Sequence, residues 1–231
     1  MTAHTVLALV HAALGTIALL TYWTAALARK GSAPHKLAGK AYVLVMVALL
    51  VPAVPLAARI ATLEPVFGAF FAYLLLITAT AVWRGWYAVR RKRDFSHYAG
   101  AEFRRLGWAN IGGGVAILAL GGAVGQPILM GFSVVGLLGG RGMLTLARRG
   151  PAHPRWWMQE HLGAMIGCGV ATHIAFLLVG LPRLLPGLAG PGLQTAGWLA
   201  PLVVAGVARR WLMRKYAPTP IASARADTAV A

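Results

Sequence analysis

The basic residues of this chain fall almost entirely in alternate connections between seven apolar stretches. Of its 22 lysines and arginines, all but Arg59 and Arg183 lie in or beside every second connection or in the C-terminal region. Lysine and arginine are enriched in the cytoplasmic loops of membrane proteins, and this enrichment sets their orientation. The pattern therefore predicts a multi-pass membrane protein whose N-terminus is outside and whose C-terminus is inside.

The apolar stretches approach the length of a membrane span, which is about 20 residues. They are Thr5 to Leu27, Ala38 to Ile60, Val66 to Val89, Leu106 to Val124, Pro127 to Leu146, Trp157 to Leu181 and Trp198 to Leu212. The last is short and predicts a tilted, extended or partly spanning helix. Backbone in lipid must satisfy its hydrogen bonds within helices. We therefore predict an all-α polytopic transmembrane helical bundle of about seven helices over residues 1–216, and a disordered cytoplasmic tail over 217–231.

Composition points to the same class of protein. Hydrophobic residues make up 58% of the chain and charged residues 12%, whereas soluble domains carry about 25% charged residues. The net charge of +17 is concentrated at helix ends, which favours anionic lipid headgroups as the partner over nucleic acid. The single cysteine, Cys168, excludes an internal disulfide and a multi-cysteine zinc site. The predicted location is a bacterial-type cell inner membrane.

Glycine is concentrated in the fourth, fifth and sixth stretches. Gly112, Gly113, Gly114, Gly121, Gly122, Gly136, Gly139, Gly140, Gly142, Gly163, Gly167 and Gly169 lie there. Small residues let helix backbones approach closely in lipid. The pattern indicates tight helix packing, and the alternative is room for a flat cofactor.

Acidic residues are nearly absent from the spans. Only Glu160 touches one, in the first turn of the sixth stretch. Its carboxylate either stabilises the positive end of that helix or handles protons. Arg84 and Arg141 lie near inner helix ends, and we expect both to extend toward the interface. This distribution does not favour a pump built on a chain of buried carboxylates.

Histidine is the residue type that points to chemistry. By a rise of about 1.5 Å per residue, His11 and His173 are expected at matching depth in an outer layer. His35 and His161 form an inner layer at the ends of their stretches, with His97 or His153 as a further candidate. Paired histidines from two membrane helices can supply both axial ligands of a b-type haem. The alternatives are another metal, or hydrogen bonds between helices.

A second pattern overlaps the first in the sixth stretch. Met158, His161, Met165 and Cys168 recur at spacings of three and four, so they share one helix face. Thioether, imidazole and thiol are suitable ligands for Cu(I). A packing face has the same spacing, and both interpretations stay open.

Two groups of motifs resemble a large family of bacterial multi-pass membrane proteins that has no assigned function. The first places Gly15 four residues after His11, and continues with Lys30, Gly31, His35, Gly39 and Tyr42. The second joins Trp157, His161 and Met165, and runs into residues 171–176. The resemblance implies a similar helical bundle with His11, His35 and His161 at the motif positions. At His173 the chain departs from the family pattern, in which a threonine is usual.

Three functional hypotheses follow. The leading one is a redox or cofactor-binding membrane protein in which His35 and His161, with or without His11 and His173, bind b-type haem. The alternative is a non-enzymatic protein, such as a small transporter or an assembly subunit, with structural histidines. The third is a membrane-embedded metal hydrolase, which requires a general base, and only Glu160 is available for that role.

Overall fold

The chain folds into α-helices throughout the residues that the structure describes, which are 2–216 of a computed structural model. The helices are α1 (Ala3–Leu27), α2 (Ala33–Leu63), α3 (Pro65–Arg90), α4 (Phe95–Tyr98), α5 (Ala101–Ala123), α6 (Pro127–Arg149), α7 (Trp156–Ala175), α8 (Leu181–Leu184) and α9 (Pro191–Tyr216). A π-helical turn, Phe176–Gly180, joins α7 to α8 without a break. The predicted tail over 217–231 lies outside the described residues.

Seven helical segments are long and apolar enough to cross a membrane, which confirms the predicted bundle. The largest difference from the sequence-based boundaries is in α9. It begins at Pro191 rather than Trp198 and has 26 residues, which corresponds to about 39 Å. A proline fits the first turn of a helix because that position has no intrahelical partner for an N–H. The last helix is therefore long enough for a full crossing.

The helices pack as two antiparallel hairpins around a central pair. One hairpin is α1 with α2, the other is α5 with α6, and α3 and α7 lie between them. The helix α9 packs against α7 at the periphery of the bundle. We call the end of the bundle that carries residues 28–32, 91–100 and 150–155 the basic face. It is the side that the distribution of charges predicts to be cytoplasmic.

Close glycine packing holds the α5–α6 hairpin together. A Cβ atom on Gly140 would overlap the carbonyl oxygen of Gly107, and one on Gly136 would meet the Asn110 carbonyl. The turn between the helices passes through Gly125, whose φ of 65° favours glycine. By contrast, Gly139 faces open space. Part of the glycine pattern is thus explained by packing between α5 and α6.

The Tyr73 hydroxyl ties α3 to this hairpin. It donates to the Phe132 carbonyl at 2.9 Å and accepts from the Gly136 N–H at 2.9 Å. Replacing Tyr73 with phenylalanine is expected to lower the free energy of unfolding by about 1–2 kcal/mol, because buried polar groups lose their partner. Thermal unfolding in detergent measures the effect. Tyr87→Phe is the matched control, and an equal loss in both variants would contradict a specific role for the Tyr73 hydroxyl.

Candidate histidine site at the basic face

His35 lies in the first turn of α2, where its ring reaches back to the end of α1. Ser32 caps the helix by accepting a hydrogen bond from the His35 backbone N–H at 3.4 Å. The ring Nδ1 lies 2.9 Å from the carbonyl oxygen of Ala25, in the last turn of α1. Because a carbonyl can only accept, the Nδ1 carries the proton. This bond fixes both the orientation and the tautomer of the imidazole.

His161 makes the same kind of bond between two other helices. Its Nδ1 lies 2.9 Å from the carbonyl oxygen of Gly85, so α7 is tied to the last turns of α3. The absence of a side chain at Gly85 leaves a space that the methyl end of Met165 fills. The Nδ1 of His161 therefore also carries the proton.

In both His35 and His161, the second ring nitrogen, Nε2, makes no hydrogen bond within the described part of the chain. Neither Nε2 is sealed from its surroundings. A histidine whose Nδ1–H is held by a carbonyl presents its Nε2 lone pair, which is the usual arrangement around ligating histidines. His35 and Lys30 are close enough to His161 to act on it electrostatically. The inner pair is thus chemically able to ligate.

Lys30 adds a positive charge beside this pair. Its ammonium group donates to the carbonyl oxygens of Ala25 and Ala26 at the end of α1. Partial burial lowers the pKa of Lys30. Cations near the carbonyl end of a helix are stabilised by its dipole. Together, Lys30 and His35 close the end of α1 on the side that faces His161.

The structure places the two outer histidines at different levels, so the expectation that they share a layer is wrong. His173 donates through Nδ1 to the Gly169 carbonyl at 2.7 Å and accepts at Nε2 from the indole N–H of Trp23 at 3.0 Å. Trp23 lies twelve residues after His11 on α1, or about 18 Å along the helix axis. Both nitrogens of His173 are therefore occupied, at a depth well away from His11.

The helical segment of α7 continues past Leu181 to Leu184 through the π-helical turn. These three residues place His173 about 4.5 Å deeper, which accounts for only part of the difference in level. The Nδ1 atom of His11 on α1 is buried and has no hydrogen-bond partner among the described residues. His11 lies beside the backbone of Leu49 in α2, and the Leu49 side chain also packs on Gly15. The structure does not bring His11 together with another of the candidate ligands.

The methionine and cysteine stripe on α7 is divided among different surroundings. Cys168 is buried against Tyr42 and Met46 of α2, and Met165 fills the space at Gly85. The thioether of Met158 lies 3.9 Å from the Arg155 guanidinium. Met158 and Cys168 are ten residues apart, or about 15 Å along the axis. A single copper ion cannot contact both Met158 and Cys168. Met165 and Cys168 instead pack against neighbouring helices.

An ion pair lies next to His161, and the sequence-based interpretation missed it. Arg84 binds both carboxylate oxygens of Glu160 at 2.9–3.1 Å, and the Tyr98 hydroxyl donates to the same carboxylate at 2.8 Å. Arg84 therefore does not extend to the interface as expected, because Glu160 offers a bidentate partner at the same depth. Burial raises the pKa of Tyr98, and Glu160 raises it further, so the phenol stays a donor.

Within residues 2–216, no three side chains of histidine, cysteine, aspartate or glutamate come together as metal ligands would. His97 is an exposed residue of α4, and His153 is buried in the connection between α6 and α7. Comparison with protein-family models, curated proteins and solved structures finds no match to this chain, and the family resemblance of its histidine motifs stays a prediction.

Proposed function

We propose that this integral membrane protein binds a b-type haem through His35 and His161 and works in electron transfer in a bacterial-type inner membrane. One observation carries the proposal. Both imidazoles are tied to a carbonyl through Nδ1 and leave Nε2 without a partner. A bis-histidine haem takes one such nitrogen from each of two helices.

The donor set fits this group. Two neutral imidazoles are the axial ligands that a six-coordinate haem needs from the protein, and α2 and α7 provide one each. Lys30 supplies a positive charge beside them, which suits the carboxylate edge of a porphyrin. When bound, the haem supplies a one-electron redox centre. The outer pair does not fit as well, because His173 already uses both ring nitrogens.

The protein orients the two imidazole rings before a haem binds. Bonds to the Ala25 and Gly85 carbonyls hold each ring in one tautomer, so the ligating nitrogen does not have to be freed on binding. The bidentate pair of Arg84 and Glu160 fixes α7 one residue before His161. A ligand held in this way loses little conformational entropy when a cofactor binds.

Asparagine substitutions separate ligation from structural hydrogen bonding. In His161→Asn and His35→Asn, the amide N–H lies near the former Nδ1 and keeps the bond to the carbonyl, while Nε2 is lost. We expect both variants to fold like the parent protein and to lose nearly all bound haem. Haem content of protein purified from haem-supplemented cells measures this, together with thermal unfolding.

His97→Asn is the matched control, because His97 is exposed and its ring makes no bond in the described part of the chain. It should keep the full haem content. Equal haem content in His161→Asn and the parent protein would overturn the assignment.

The same bonds favour a second candidate. His35 joins α1 to α2 and His161 joins α3 to α7, as structural histidines in a small transporter or assembly subunit would. Substrate-dependent transport by a colourless protein in liposomes would favour this function. In that case the asparagine variants, which keep the ties, should retain stability while His161→Ala loses it.

A further inference from the structure

A cleft at the basic face lies between the end of α6 and the beginning of α7. Its volume is about 480 Å³. The polar residues that line it are Arg141, Thr145, Arg149, His153, Gln159 and Glu160. Leu138 and Leu146 line the same cleft, so it reaches into the apolar part of α6. The lining of the cleft is therefore amphipathic.

One face of α6 gives the cleft its charge. Arg141, Thr145 and Arg149 follow each other at intervals of four residues, so they lie above one another on that helix. The two ion pairs found among residues 2–216 involve Arg84 with Glu160 and Arg91 with Glu102. Neither contains Arg141 or Arg149. Two guanidinium groups within about 12 Å thus face the cleft without a carboxylate of their own.

Glu160, the one acid in the lining, is already neutralised. Arg84 donates three hydrogen bonds to its carboxylate through Nε and Nη2, and the Tyr98 hydroxyl donates a fourth. The charge that remains is therefore positive. A ligand that enters this cleft meets arginine, threonine and glutamine donors, which are suited to an anion.

His153 provides an independent observation. It is only 8% exposed, and neither ring nitrogen has a hydrogen-bond partner among the described residues. A buried polar group without a partner is costly, and a bound ion or water is one of the ways in which proteins satisfy it. His153 lies in the wall of this cleft, between the two arginine-bearing turns and α7. A bound anion would supply the acceptor that its ring N–H lacks.

We propose that this cleft binds a phosphate group, held by Arg141, Arg149 and His153. Arginine recognises phosphate through paired N–H groups, and the lining has the apolar wall that a phospholipid requires. The phosphate has two possible sources, the headgroup of an anionic phospholipid or a water-soluble phosphomonoester. Neither His35 nor His161 lines this cleft, so the proposed phosphate site does not depend on a haem.

The test uses delipidated full-length protein in detergent. Phosphatidylglycerol and glycerol 3-phosphate are added separately, and the rise in Tm gives the half-saturating concentration, because a ligand that binds the folded state stabilises it. We expect phosphatidylglycerol to raise Tm. If glycerol 3-phosphate also raises Tm, the cleft recognises the phosphate group alone. If only phosphatidylglycerol raises Tm, the ligand is a phospholipid.

Two variants and a matched control locate the binding. Arg149→Gln is expected to raise the half-saturating concentration about tenfold, as the loss of one charge-assisted contact would. Arg148→Gln changes the neighbouring arginine, which does not line the cleft, and should stay within about twofold of the parent protein. An equal effect in both variants, or an equal effect of a diacylglycerol, which has the same chains but no phosphate, would overturn the proposal.

His153→Phe tests directly whether the His153 ring, whose nitrogens have no partner among the described residues, takes part in binding. Phenylalanine has a similar shape but no nitrogen, and replacing an unsatisfied buried group with an apolar one costs little stability. The variant should keep the Tm of the ligand-free protein and lose most of the lipid-induced rise. A rise equal to that of the parent protein would remove His153 from the site.

Discussion

Replacing Arg84 with methionine is expected to lower the free energy of unfolding by about 3–5 kcal/mol, because it leaves the Glu160 carboxylate buried without its partner. The side chains of Arg84 and Glu160 are only 22% and 15% exposed. The guanidinium makes three contacts of 2.9–3.1 Å to the carboxylate. Unfolding of the purified protein in mixed micelles with increasing SDS measures the loss.

Two controls separate the buried pair from charge in general. The double variant Arg84→Met, Glu160→Met removes both charges and should recover most of the loss, because apolar residues of similar size can replace a buried pair. Glu102→Gln breaks the pair between Arg91 and the exposed Glu102, whose charged atoms are 3.5 Å apart, and should cost less than about 1 kcal/mol. A double variant as unstable as the single one would contradict this account of the pair.

Replacing Gly140 with alanine is expected to lower the free energy of unfolding by about 1–3 kcal/mol, as overpacking of a tight interface does. The added methyl group would overlap the Gly107 carbonyl oxygen and crowd Ile111 on α5. These are parts of a helix backbone and a packed side chain, so neither can move away without separating the hairpin. The same SDS titration reports the effect.

The neighbouring glycine is a matched control. A Cβ atom on Gly139 would meet nothing within 4 Å, so Gly139→Ala should be neutral or stabilising by up to about 1 kcal/mol, through the higher helix propensity of alanine. Equal destabilisation by both substitutions would show that the α5–α6 interface is not the cause.

The number and order of the spans were predictable because lipid imposes them. Each hydrophobic stretch must be helical, and basic residues mark alternate ends. The boundary of α9 was missed by seven residues, since the segment before Trp198 is rich in glycine and proline and has low hydropathy. Its helix nevertheless starts at Pro191, a position that proline tolerates.

The site was harder to predict because the depth of a residue in the membrane does not determine which way its side chain points around the helix axis. Hydropathy placed Arg84 and Glu160 near the same end of their helices, but nothing in the sequence says which faces of α3 and α7 meet. The two residues are 76 positions apart. For His173 the predicted depth was wrong, since its ring is held by the Trp23 indole and the Gly169 carbonyl at a level away from His11. His35 and His161 lie at the basic face, as expected. Each follows a loop closely in the sequence, and the start of a helix after a loop fixes the level of the residues in its first turns.

The central claim is that His35 and His161 hold a b-type haem, and a visible spectrum tests it most directly. The measurement compares the oxidised and the dithionite-reduced forms of the detergent-purified full-length protein, grown with a haem supply, with metal analysis of the same sample. The account predicts a Soret band, sharp α and β bands after reduction, and about one iron per chain. A flat spectrum without bound iron would contradict it and leave the two histidines as ties between helices.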